Sequence, residues 1–120
     1  MTLAPRALTA GTLLLAVATA APAHSLLLES SPAADATLAR PPERVALRFN
    51  NRIEKRLSRI RLVDERGEGR TLVVSEGEGA PDALTAPVPS LDPGTYRVEW
   101  RVLSTDGHVV NGRFGFRVTR

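Results

Sequence analysis

The chain has 120 residues, 42% of them hydrophobic and 24% charged, the size and balance of one ordinary globular domain and too short for a barrel enzyme or a dinucleotide-binding fold. Its 16 Lys and Arg against 13 Asp and Glu give a formal charge of +3, and because 15 of the 16 cations are Arg the pI rises to about 10.5 on a slight excess. The absence of cysteine excludes disulfides, thiolate zinc sites, iron–sulfur clusters, a thiol nucleophile and a lipid-modified N-terminal Cys together. Any metal must be held by nitrogen and oxygen.

Residues 1–23 read as a secretory signal peptide. Arg6 precedes an apolar run from Leu8 to Ala20, and Ala21-Pro22-Ala23 fits the small-x-small rule of signal peptidase. The run is shorter than the roughly 20 residues that span a bilayer. Cleavage after Ala23 predicts a released domain of residues 24–120 in a compartment outside the cytoplasm, most simply a bacterial periplasm. Its first residue is then His24, one of only two histidines. As a free N-terminus, His24 carries an α-amino group and a ring Nδ1 that close a six-membered chelate on one metal ion. In the precursor that nitrogen is an amide and the chelate cannot form.

The rest of the chain reads as short strands separated by turn chemistry. Leu26–Glu29 is a candidate strand. Val45, Leu47 and Phe49 alternate around Arg48, the period-2 pattern of a half-buried strand. Residues 51–57 read as a loop or one helical turn, Arg59–Val63 and Thr71–Val74 as strands, and the Gly-rich 77–81 stretch as a mobile loop. Leu91-Asp92-Pro93-Gly94-Thr95-Tyr96 has the look of a tyrosine corner. Beyond it Tyr96, Val98, Trp100 and Val102 alternate with Arg97, Glu99 and Arg101, and Phe114, Phe116 and Val118 alternate with Arg113 and Arg117. No segment keeps a helical period. Six or seven short strands predict a two-sheet antiparallel sandwich of the immunoglobulin-like kind. The aromatics fall on the inward phase, as core rather than as a sugar or base platform. The Arg-rich outward phase reads as solvated, and a secreted chain of small net charge is not expected to bind nucleic acid.

Ser104-Thr105-Asp106-Gly107-His108 follows the clearest strand. Asp106 and His108 are two apart, so in extended backbone both leave the same face, and Gly107 lets the chain approach a ligand closely. A bare D-G-H tripeptide is more often a polar turn. The other histidine, at the processed terminus, changes that weighting, because a sandwich can bring its first strand beside the connection between its last two. The combined set is the His24 amine and imidazole, the His108 imidazole and the Asp106 carboxylate. Three nitrogens and one oxygen in a roughly square arrangement suit Cu(II). Zinc would accept the same donors tetrahedrally, and geometry separates the two metals.

With these motifs in order, the chain resembles the CopC family of periplasmic copper-resistance proteins. The resemblance is carried by His24 after the cleavage point, by Ser30-Ser31-Pro32-Ala33 and by Val45–Phe49. It continues through the run from Leu91 to Val102, the Ser104–His108 turn and Gly112–Val118. It implies an all-β, seven-stranded Greek-key β-sandwich or barrel, cupredoxin-like or immunoglobulin-like, that binds one Cu(II) per chain as a monomer. It implies ligation by His24, Asp106 and His108, no catalytic turnover, and delivery to a CopD-type inner-membrane protein. Some members carry a Glu where Asn51 stands, and a Met-rich Cu(I) loop where residues 64–80 contain neither Met nor His; this chain is therefore expected to hold Cu(II) alone. Two other readings make distinct predictions. A copper-dependent oxidative enzyme of the histidine-brace type would consume oxygen with a reductant, and a metal-free secreted interaction module would be indifferent to loss of either histidine.

Overall fold

The computed structural model describes residues 2–5, 11 and 26–120. Most of the expected signal peptide, and His24, lie outside them. The described residues form eight strands: β1 Leu27–Ser31, β2 Thr37–Leu38, β3 Arg44–Phe49, β4 Arg59–Val63, β5 Gly69–Leu72, β6 Ala83–Pro87, β7 Gly94–Leu103 and β8 Val109–Val118. One 3₁₀ turn spans Lys55–Leu57. A three-stranded sheet in the order β1-β3-β6 faces a five-stranded sheet in the order β2-β8-β7-β4-β5. The all-β sandwich is as expected, but with eight strands rather than seven. The added strand, β2, is two residues long and pairs in parallel with the end of β8, which leaves no periodicity in the sequence to find.

Two other differences have local causes. β6 pairs along β3 although its Ala-Leu-Thr-Ala-Pro sequence has little strand propensity; it is held because Leu84 and Ala86 are fully buried. β5 starts two residues earlier than Thr71 because the preceding turn sets its register. Asp64 Oδ1 accepts the Arg66 and Glu68 backbone N–H groups at 2.9 and 3.0 Å, and Gly67 supplies the positive φ of 83°. Val63 is thereby set opposite Gly69, so Leu72 turns inward and Val73 is left 81% exposed.

The core lies between the sheets. Val45, Leu47 and Phe49 of the small sheet meet Ile60, Val98, Val102 and Phe116 of the large one. Phe49 crosses the gap to Trp100 with ring centroids 6.4 Å apart, Trp100 meets Phe114 at 6.0 Å, and Tyr96 stacks on Phe116 at 5.6 Å, within the range of favourable aromatic pairs. The tyrosine corner is present: the Tyr96 hydroxyl donates to the Asp92 carbonyl. Gly112 lies opposite Trp100 across β7 and β8, and a Cβ there would overlap the indole.

Two substitutions test this packing. Gly112→Ala should lower unfolding free energy by about 1–3 kcal/mol through overpacking, and Tyr96→Phe by about 1 kcal/mol through loss of one hydrogen bond. Urea titration should show both as lower midpoints at unchanged slope. A Gly112→Ala protein as stable as the wild type would mean that the indole is not seated against the β8 backbone.

Candidate metal centre

The D-G-H residues occupy the turn that joins β7 to β8. Ser104 N donates to His108 O and Gly107 N to Ser104 O, both at 2.9 Å, and Gly107 adopts φ 90°, which favours glycine. Within the turn Asp106 Oδ1 accepts the His108 backbone N–H at 3.2 Å and lies 3.2 Å from the His108 ring Nδ1. The His108 backbone N–H, and behind it the His108 ring, hold the Asp106 carboxyl below its ordinary value against partial desolvation. Both side chains are substantially exposed, at 36% for Asp106 and 50% for His108. A carboxylate and an imidazole are therefore together at the surface, on a turn fixed by its own backbone bonds.

Two donors 3.2 Å apart, each about 2.0–2.1 Å from one ion, would subtend an angle between that of a square and that of a tetrahedral ligand set, so this spacing lets the pair share one ion and does not by itself separate Cu(II) from zinc.

A second set of contacts ties the turn to the start of the first strand. Residues 50–54 cross from the end of β3 toward the large sheet. On one side Asn50 Oδ1 accepts the Leu26 backbone N–H at 2.7 Å and Asn50 N donates to Leu26 O at 3.0 Å. On the other side Thr105 N donates to Arg52 O at 3.1 Å and Glu54 N to Leu103 O at 2.8 Å, while Ile53 makes a bridge with the buried Ser104. Ser58 adds a further tie, its Oγ accepting from Leu103 N at 3.0 Å and donating to Glu54 O at 2.9 Å. Leu26 and the D-G-H turn are thus bonded to opposite ends of one five-residue segment.

Of the three residues singled out from sequence, the structure brings Asp106 and His108 together, and His24 lies outside the described residues. Among the described residues no group of three or more His, Cys, Asp and Glu side chains is placed to hold a metal. Sequence reasoning missed Asn50, whose side chain clamps the backbone of Leu26; an Asn after a strand reads as an ordinary turn residue, and only the fold shows what its amide holds. Asn51 is half-buried, and Glu54 is exposed and engaged through its backbone.

Comparison with known proteins agrees with this architecture. The CopC domain matches residues 27–119. Protein YobA of Escherichia coli K12 is 35% identical over 98 residues, covering 80% of this chain and 79% of YobA. Copper resistance protein C of Escherichia coli is 31% identical over 126 residues, covering 98% and 99%. The crystal structure of CopC from Methylosinus trichosporium OB3b superposes with a TM-score of 0.73 at 38% identity, over 80% of this chain and 94% of that one. With the family domain spanning nearly all of the two-sheet body, this chain belongs to the CopC family.

Proposed function

We propose that this chain is an exported, non-catalytic carrier or buffer of Cu(II), active as residues 24–120 after removal of residues 1–23, most simply in a bacterial periplasm. The ion is cargo. It is held by the His24 α-amine and ring, the His108 imidazole and the Asp106 carboxylate, one ion per chain, and is passed on to a membrane copper-transport protein of the CopD type. The observation that carries the reading is the shared attachment of Leu26 and of the D-G-H turn to residues 50–54. His24 stands two residues before Leu26, a reach of at most about 7 Å of extended chain. Relatives named for copper resistance supply the metal.

The chemistry follows from the donors. Capture needs a deprotonated amine and neutral imidazoles, so protons compete with the ion. Asp106 contributes one negative charge toward neutralising the dication, and its carboxyl, already held low by His108, is ionised before the nitrogens deprotonate. Nitrogen and oxygen donors favour the oxidised ion, because Cu(I) prefers soft sulfur and Met1, the one methionine, precedes the proposed cut. Each of these preferences disfavours redox cycling.

Two predictions follow from the ligand set. Adding one alanine ahead of His24 in the processed protein should lower Cu(II) affinity by more than the 10–100-fold typical of outer-shell changes, and His108→Ala should do the same. Circular dichroism should show both folded. Competition titration reads the affinity and electron paramagnetic resonance the nitrogen count, and unchanged binding by the extended protein would overturn the reading. Acidification should also weaken binding, since protons compete with the ion for the amine and imidazole nitrogens. Between about pH 7.5 and 5.5 the affinity should drop at least a hundredfold, whereas a drop below tenfold would exclude an amine–imidazole set.

A further inference from the structure

The solvent face of the five-stranded sheet has no part in the copper reading. Strand alternation puts Arg59 and Arg61 of β4 on this face, opposite the buried Ile60 and Leu62. It does the same for Arg97 and Arg101 of β7 and for Arg113 and Arg117 of β8, all exposed. The register aligns them in rows: Arg59 opposite Arg101, and Arg61 opposite Glu99, which is in turn opposite Arg113. Glu99 is the carboxylate of these rows, and Arg97 already holds it, Nη2 to Oε1, at 2.8 Å. The rows thus carry six arginines and one glutamate, and with Asp64 and Glu65, which line a hollow beside Arg97, Arg113 and Arg117 at the edge of this face, the charge is +3 on a domain of residues 24–120 whose total is +2. The remaining surface is net acidic.

Like charges directly opposite across strands are destabilising, so the Arg59–Arg101 pairing costs stability that the fold does not require. A shallow hollow of about 410 Å³ opens between Arg59, Arg61, Arg101 and Arg113. All the cations are Arg, whose fork matches phosphate oxygens in pairs. Protein partners are usually anchored by buried aromatic and large apolar side chains, and the exposed apolar residue on these rows is Val109, at the end beside the turn. An array of charges without anchors suits a surface that is itself a charged plane.

We propose that this face docks on an anionic phospholipid bilayer, its arginines bonding headgroup phosphates. The β7–β8 hairpin would then lie along the membrane with its connecting turn directed sideways in the plane. Only this last consequence rests on the copper reading, since it makes the D-G-H turn available to a membrane-embedded acceptor.

The test is vesicle flotation of the processed protein recovered from an exporting host. One set of vesicles is phosphatidylcholine alone and the other contains about 30% phosphatidylglycerol. The protein should float with the anionic vesicles at roughly 0.05 M salt, stay behind with the neutral ones, and be released at roughly 0.5 M salt, where screening is short-ranged. The double variant Arg61→Gln/Arg113→Gln should lose about 25-fold in partition, about fivefold per charge removed, with unchanged Cu(II) affinity. Equal flotation with both vesicle types, or wild-type flotation by the double variant, would overturn the proposal. So would retention on immobilised polyglutamate without flotation, which assigns the face to an acidic protein, or binding of inorganic phosphate without flotation, which assigns it to a small anion. Copper titration is read separately, so failure of docking and failure of the copper site are distinguishable.

Discussion

The five residues from Asn50 to Glu54 are the constraint on which the end of the molecule that carries the proposed copper site depends. They leave the small sheet at Phe49 and reach the large sheet at the Ile53–Ser104 bridge. On the way they bond to Leu26, to Pro81 and to the segment 103–105. Each hydrogen bond contributes only about 0.5–1.5 kcal/mol. Their larger effect is positional, because donors held within about 0.5 Å of productive geometry bind a ligand without reorganising. Two parts of the chain almost 80 residues apart, Leu26 and Thr105, share one mechanical frame through this crossing.

The body of the fold was legible because burial imposes alternation. Phe49, Tyr96, Val98, Val102 and Phe116 all sit on the buried phase, and the polar positions between them are the exposed ones. Legibility failed where a strand is fixed by something other than its own pattern. β2 is set by two parallel ladder positions on β8, β6 by the buried Leu84 and Ala86 beside β3, and the start of β5 by the Asp64 turn. Asp106 and His108 do meet, but through a turn closed by Gly107 at φ 90° and by Asp106 Oδ1 accepting the His108 N–H, not through the extended backbone that their spacing of two suggested. The Asn50 clamp was not, since it is a long-range contact from a residue type that turns use everywhere. His24 entered through an argument about processing and chelation, which is chemistry rather than packing.

Charge is distributed as deliberately as apolar surface. A domain of near-neutral total gathers its excess cations on one side of one sheet and returns acidic residues to turns such as Asp64–Glu68 and the Asp92 corner. Net charge alone therefore says little about this molecule, whereas the register of β4, β7 and β8 says which side of it faces anions. The alternation that hides Ile60, Leu62 and Val98 in the core also lines up the arginines, so a single pattern generates both the hydrophobic layer and the field outside it.

The separation of core from turn bears on how an ion bound as proposed would be released. In small metal-dependent domains the binding energy of the ion is also folding energy, and losing the metal unfolds the chain. Here the buried layer from Val45 to Phe116 lies between the sheets, while Asp106 and His108 project from an exposed turn at one end. Under the proposed function, folding free energy would come from the layer and binding free energy from the turn with its partner donors. An acceptor taking the ion would then compete only with a chelate, not with the stability of the domain, which is what a carrier loaded and unloaded repeatedly would require.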